Sequence, residues 1–273
     1  MKPIKKIALL HSLCTVGKAS ITNMMPVLST MGMEACPIPT VVLSTHTGGF
    51  GIPAKQFVSA EYIRNCADHY RHNNITFDAI FVGYLGNNEI LSAVRYFVEQ
   101  FPSAVKILDP IMGDHGTLYS NVDENYIHSF RKLLPLMDMV LPNLTEACFL
   151  SGQPYHESAT VENLMNICAY FHEKNVKNVI ITSAISDDKK RGVVFSDKDD
   201  MKLVTFDAKA MDFHGTGDVF DAVLIGSYLK GVEIPDAIKK AHTFVSSCIE
   251  ESSRFEYPTK EGLLIEHKLS LLE

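Results

Sequence analysis

Short aliphatic and β-branched runs recur along the chain: IALL (7–10), PTVVLS (39–44), AIFVG (79–83), VKILD (105–109), MVLPN (139–143) and NVIIT (178–182). Each is apolar almost throughout and bounded by turn residues, the pattern of strands covered on both faces. Between them, apolar positions recur at helical spacing over 59–71, 89–100, 125–134, 145–150 and 161–174. This alternation predicts right-handed βαβ crossovers and an α/β fold, a doubly wound, mostly parallel sheet flanked by helices. RGVVFS and KLVTFD flank the charged turn DKDDM and read as a β-hairpin appended to that sheet. Helical spacing resumes from Asp218 through Val219, Phe220, Ala222, Val223 and Ile225, with Gly231 placed as a C-cap, and 237–250 reads as an amphipathic helix. No repeat or linker-like shift divides the chain, so a single domain over 1–273 is expected.

Composition narrows the function classes. The 273 residues are 46% hydrophobic, enough for a substantial core, and the formal net charge is -7 with both signs interspersed. That balance disfavours nucleic acid and anionic membrane as partners and favours a small-molecule substrate. Six scattered cysteines form no C-x-x-C pair and read as reduced, mostly buried thiols. MKPIKKIALLHS starts basic, but its apolar run ends after four residues with no cleavage site, so a cytoplasmic protein is expected. No apolar run approaches the roughly 20 residues that a membrane span needs.

SLCTVGKAS (12–20) is a near miss to a phosphate-binding G-x-x-x-x-G-K-[ST] loop. Ser12 stands in place of the first glycine and Ala19 in place of the metal-binding hydroxyl, so phosphate chemistry is sought elsewhere. In parallel sheets ligands bind beyond the carboxyl ends of the strands. Polar residues expected there are His11 and Ser12, Thr45 to Thr47, Tyr84, Asp109, Asn143 and Glu146, and Thr182 with Ser183.

HGTGDVF (214–220) carries the most chemistry. Its two glycines let backbone N–H groups converge at a helix N-terminus, an arrangement suited to a phosphoryl group, and Asp218 falls in the first turn where the dipole favours negative charge. A carboxylate there can take a proton from a hydroxyl as its oxygen attacks phosphorus. DPIMGD adds Asp109 and Asp114 at another strand end, and carboxylates beside a polyphosphate call for Mg²⁺ between them. Asn143 and Glu146 have the spacing of a helix capping box, which competes with a metal or phosphate role.

STHTGGFG (44–51), GYLGN (83–87), DPIMGDHGTLY (109–119), PNLTEA (142–147), ITS (181–183) and HGTGDVF stand in one order over nearly the whole chain. In these motifs the chain resembles the pyridoxal kinases of the ribokinase-like superfamily. The resemblance implies ATP-dependent phosphorylation of the 5′-hydroxymethyl group of a B6 vitamer. It implies Ser12, Thr47 and Tyr84 around the pyridine ring, Asp218 as base, and the Gly215, Thr216 and Gly217 N–H groups on the phosphoryl. Asp109, Asp114 and Glu146 would face Mg²⁺ and the nucleotide, directly or through water, with Tyr119, Asn143, Thr182, Ser183 and Thr216 on the ATP side. It further implies a K⁺-type activator and a homodimer. Members of that family commonly carry a histidine after the N-terminal serine and a longer loop, where this chain has Leu13-Cys14. Asp218 is preferred as base over His46 and His214. The rival readings are a hydroxymethylpyrimidine kinase, whose usual G-S-D-x-S-G-G-A-G opening is missing, and a non-catalytic vitamer-binding protein on the same fold. A dehydrogenase is weaker, since no G-x-G-x-x-G follows the first strand.

Overall fold

A computed structural model describes residues 3–120, 122–185, 191–206 and 213–273. In chain order the elements are β1 (Lys5–Val16), α1 (Ile21–Thr30), β2 (Met33–Thr45), β3 (Lys55–Phe57), α2 (Ala60–His72), β4 (Ala79–Val82) and α3 (Leu91–Gln100). There follow β5 (Val105–Leu108), β6 (Gly113–Asp114), β7 (Thr117–Leu118), α4 (Glu124–Leu133), β8 (Met139–Val140), α5 (Leu144–Ser151) and α6 (Val161–Glu173). The chain ends with β9 (Asn178–Ile185), β10 (Arg191–Ser196), β11 (Met201–Phe206), α7 (Thr216–Leu229) and α8 (Ile234–Ser252). The architecture is the α/β one expected, a mostly parallel central sheet flanked by helices, with a small antiparallel pair, β6 and β7, besides. Two compact units make it up, Met1–Val58 with Lys209–Glu273, and Ser59–Ala208.

In the first unit β1 and β2 pair in parallel from Lys5↔Met33 to Val16↔Thr45, and β3 lies antiparallel on β2. Ile7 to Leu10 are fully buried, as their continuous apolarity predicts, and each large aliphatic side chain so buried contributes about 1.5–3 kcal/mol. Both strands outrun their apolar cores. β1 continues through His11 and Ser12 to Val16, so these two residues lie inside the strand and not in a loop after it. β2 starts at Met33, six residues before the start at Pro39 that the apolar run predicts, and runs through Pro37. Since β3 covers β2 only at 41–43, the outer side of its earlier half is an edge, where a missing N–H costs no ladder bond. His11 pairs with Pro39 but Leu13 with Val42, so two residues of β2 oppose the single Ser12 and bulge the ladder there. The first helix, α1, packs on α7, and α7 on α8. Pro26 inside α1 obscures that helix in the sequence.

The second unit carries the strand order β11-β10-β9-β8-β5-β4. Val82, Leu108, Val140 and Val179 form one row across β4, β5, β8 and β9, which aligns the carboxyl ends of β4, β5 and β8 beside the first half of β9. The hairpin β10–β11 is antiparallel and joined to β9, as its sequence predicts. β9 does not end at Thr182. Ile181 pairs with Val194 and Ala184 with Gly192, so Thr182 and Ser183 together oppose one residue and form a bulge, with Ser183 at φ 56°. The two-residue strands β6 and β7 lie below what periodicity can detect. Among the described residues no helix is long and apolar enough to cross a membrane.

All six cysteines are free, and Cys14, Cys148, Cys168 and Cys248 are buried. Burial pushes the first three thiols up to about 11 and Cys248 to about 12. In the native protein these four are expected to resist Ellman's reagent at pH 8 while Cys66 reacts, with all six titrating in guanidinium.

Candidate active site

In the first unit α7 starts at the Gly-Thr-Gly-Asp turn. Gly215 is its N-cap at φ 78°, and a β-carbon there would collide with the Lys18 carbonyl and the Asn23 amide. Asn23 draws these parts together, its Nδ2 donating to the Lys18 carbonyl at 2.5 Å and to that of Gly215 at 3.3 Å. Gly215 is therefore glycine for reasons of folding. Gly217 is different: its backbone is one any residue adopts, and among the described residues nothing lies within 4 Å of where a β-carbon would stand. Among the described residues no side chain caps this helix terminus. The missing β-carbon leaves an approach to the first-turn N–H groups, where the helix dipole attracts an anion.

Asp218 is only 8% exposed, and both of its oxygens are engaged. His11 Nε2 lies 2.9 Å from Oδ1, and the Ser20 N–H donates to Oδ2 at 2.7 Å. The Ser12 N–H donates to His11 Nδ1 at 2.8 Å, and the Ser12 and Ser20 hydroxyls are 2.7 Å apart. Ser12, expected against a substrate ring, is 2% exposed and belongs to this network. Cys14 lies beside it; burial raises its thiol first, and the nearby Asp218 charge adds to that.

Thr47 is exposed just beyond β2. The His46 ring before it takes the Gly48 N–H on Nδ1 at 3.1 Å and pairs through Nε2 with the Lys260 carbonyl at 2.6 Å. A β-carbon on Gly17, at φ 100°, would meet that ring. Lys18 Nζ is 2.8 Å from Glu266 Oε2 and lies over the Tyr257 ring. The Gly17-Lys18 pair is thus a turn fitted to His46, with its lysine held by a carboxylate of the same unit.

In the second unit Asp109 and Asn143 follow the ends of β5 and β8, Thr182 lies within β9 opposite Asn143, and Tyr84 is half-buried after β4. Asn143 caps α5 in the full capping box that its spacing predicts: its Oδ1 accepts the Glu146 N–H at 2.9 Å, and Glu146 Oε2 accepts the Asn143 N–H at 2.9 Å. The same residues hold the loop that carries Asp114. Glu146 Oε1 accepts the Met112 N–H at 3.0 Å, Asn143 Nδ2 donates to the Gly113 carbonyl at 2.8 Å, and the Gly116 N–H donates to Thr145 Oγ1 at 2.9 Å. Asp114 itself accepts the His115 N–H at 2.8 Å, and Tyr119 is exposed past β7. Thr182 donates its N–H to the Pro142 carbonyl at 2.9 Å, which sets it beside Asn143, and Ser183 is exposed in the bulge.

Burial pushes the Glu146 carboxyl well above its ordinary range, and the Asp109 charge beside it pushes the same way against the stabilising backbone N–H bonds. Two neighbouring buried carboxylates repel, and a divalent cation relieves exactly that kind of stress, so Asp109 and Glu146 fit as oxygen donors near Mg²⁺. Among the described residues no group of three or more His, Cys, Asp or Glu stands ready to hold a metal. The residue that sequence reading missed is His11. It was visible only as a polar residue at a strand end, with nothing local to connect it to Asp218, 207 positions away.

Comparison with known proteins identifies the family. A family model described as phosphomethylpyrimidine kinase matches residues 17–262. A candidate phosphomethylpyrimidine kinase of Bacteroides thetaiotaomicron, crystallised with pyridoxal, is 34% identical, with a TM-score of 0.92 over 98% of this chain and 96% of that one. A pyridoxal kinase of Corynebacterium diphtheriae is 27% identical over 88% of this chain and 86% of its own length. A hydroxymethylpyrimidine/phosphomethylpyrimidine kinase of Staphylococcus aureus is 28% identical over 68% and 71%. Matched by that model over nearly its whole length, the chain belongs to the phosphomethylpyrimidine kinase family, of ribokinase-like fold and with pyridoxal kinases among its relatives.

Proposed function

We propose that this protein is an ATP-dependent kinase that phosphorylates the 5′-hydroxymethyl group of pyridoxal, pyridoxine or pyridoxamine. The observation that carries the reading is the α7 terminus, where an uncapped helix start, an open approach at Gly217 and the Asp218 carboxylate coincide within one turn. The substrate class is supported by the pyridoxal in the crystals of the 34% identical relative.

In the first unit, Asp218 accepts the proton of the 5′-hydroxyl as that oxygen bonds to the γ-phosphorus and the bond to the β–γ bridging oxygen breaks, giving the 5′-phosphate and ADP. The Thr216 and Gly217 N–H groups, with the Gly215 turn, carry the charge on the transferring group. Ser12 and Thr47 are assigned to the vitamer. In the second unit, Tyr84 is assigned to the vitamer, and Tyr119, Asn143, Thr182 and Ser183 to ATP. Asp109, Asp114 and Glu146 would hold Mg²⁺, directly or through water. The metal supplies charge neutralisation on the phosphates when bound. Glu146 and Asn143 also act through the loop they hold, by keeping Asp114 in place. A homodimer and activation by K⁺ belong to the same proposal and rest on the resemblance alone, and a cytoplasmic setting, also part of it, rests on the six unpaired cysteines.

The description of the matching family favours a second reading, transfer to a hydroxymethylpyrimidine. Purified protein with MgATP and equimolar pyridoxal and hydroxymethylpyrimidine decides between them: pyridoxal 5′-phosphate is expected as the main product, and predominant pyrimidine phosphate reverses the assignment. Asp218→Asn is expected to lower kcat about 10²–10⁴-fold while ATP affinity is kept, and full turnover in it removes Asp218 from the base role. Gly217→Ala should fold at least as stably as the native protein, since alanine gains roughly 0.5–1 kcal/mol over glycine in a helix, yet lose most of its turnover. Gly215→Ala should instead lose at least about 1–2 kcal/mol in chemical denaturation, because its φ is positive and its β-carbon has no room. An active Gly217→Ala variant would falsify the close approach of the phosphoryl group at that position.

A further inference from the structure

We propose that His11 is a positioning residue for Asp218, a neutral imidazole that fixes one carboxylate oxygen while the Ser20 N–H fixes the other. The inference rests on the reading of Asp218 as the base and adds a residue to which neither the motifs nor the resemblance gives a role.

The hydrogen-bond pattern defines the protonation state. His11 Nδ1 faces a backbone N–H, that of Ser12, at 2.8 Å and must accept from it. The ring proton then sits on Nε2 and is donated to Asp218 Oδ1 at 2.9 Å. Because Nδ1 is already used as an acceptor, the ring has no second site to take up a proton and pass it onward. The pair is a clamp and not a relay. His11 is fully buried in β1, so the ring cannot swing away from Asp218 without opening the unit's core.

The second arm of the clamp is held at a cost in backbone strain. Ser20 adopts φ 61° and ψ -138°, a region that only glycine occupies freely. In that conformation it offers no side-chain cap to α1, directs its N–H to Asp218 Oδ2 at 2.7 Å, and turns its hydroxyl to Ser12. Strain retained at one residue whose amide meets a candidate base is the pattern of a functional constraint. Together the two donors fix the plane of the carboxylate. The position from which it meets a hydroxyl then changes little between turnovers, and positioning of this kind lowers the barrier without adding binding energy to the ground state.

The test is a double-mutant cycle with His11→Leu and Asp218→Ala, together with His11→Gln, whose amide N–H reproduces the donor. His11→Leu is expected to lower kcat about 10–100-fold with the KM for pyridoxal within about twofold, and to change kcat less than about twofold when Asp218 is already alanine. His11→Gln should return kcat to within about fivefold of the native value. A further readout needs no turnover: ¹⁵N NMR of the native protein, assigned by loss of the signal in His11→Gln, should show His11 as the neutral Nε2–H tautomer. An equal loss in both Asp218 backgrounds, a Gln variant no better than Leu at matched stability, or an Nδ1–H tautomer each overturns the proposal. If the native protein transfers no phosphate to any B6 vitamer, the functional reading fails. The tautomer and the coupling of His11 to Asp218 in denaturation then judge the clamp separately. Should the Leu variant not fold, the native tautomer and the Gln variant decide.

Discussion

A buried carboxylate has to be surrounded by donors, and much of the first unit follows from meeting that demand at Asp218. The side chain starts a helix in the interior and takes one hydrogen bond from a β1 histidine and another from the turn before α1. Hydrogen bonds to a charged group contribute about 1.5–3 kcal/mol each, and loss of one partner leaves a desolvated charge that costs more than the bond itself. Several oddities of the unit follow from this. β1 continues as strand through polar residues, the ladder bulges opposite Ser12, Ser20 keeps a strained backbone, and Gly215 has no room for a side chain because Lys18 and Asn23 crowd it.

The second unit meets the same demand in another way. Glu146 is buried as deeply, but its partners are main-chain N–H groups at the start of its own helix and in the Met112 loop. Backbone donors do not rotate, so the carboxylate works as a rivet between α5 and the loop bearing Asp114. Burial and Asp109 nonetheless push its carboxyl upward, so the unit retains an electrostatic stress that a cation would remove. One residue thus serves as the cap of α5 and as the tie that holds the loop bearing Asp114. The choice between a capping box and a metal site, posed by the spacing alone, does not exclude either.

The glycines make the same distinction sharper. Read along the chain, Gly17, Gly215 and Gly217 look alike, three small residues in candidate phosphate loops. Their surroundings separate them: Gly17 makes room for the His46 ring, Gly215 for a carbonyl and an amide, and Gly217 for nothing among the described residues. Only the last is left for a ligand to explain. The near miss to a nucleotide loop at 12–20 dissolves for the same reason, since its glycine and its lysine are both committed inside the protein.

By itself the sequence determined what depends on neighbours a few residues apart. That includes the alternation of strands and helices, the β10–β11 hairpin, the start of α7 at its Gly-Thr-Gly-Asp turn and the reciprocal capping of Asn143 and Glu146. Each is governed by side-chain periodicity or by hydrogen bonds within one turn, so local pattern suffices. Only the tertiary structure decided the polar extension of β1, the bulges at Thr40–Val41 and Thr182–Ser183, the loop held by Glu146 and the pairing of His11 with Asp218. These depend on which strand lies alongside and in what register, and on donors and acceptors that meet across large separations in sequence. No spacing in the chain encodes such meetings, because they form only when the backbone has already closed around them.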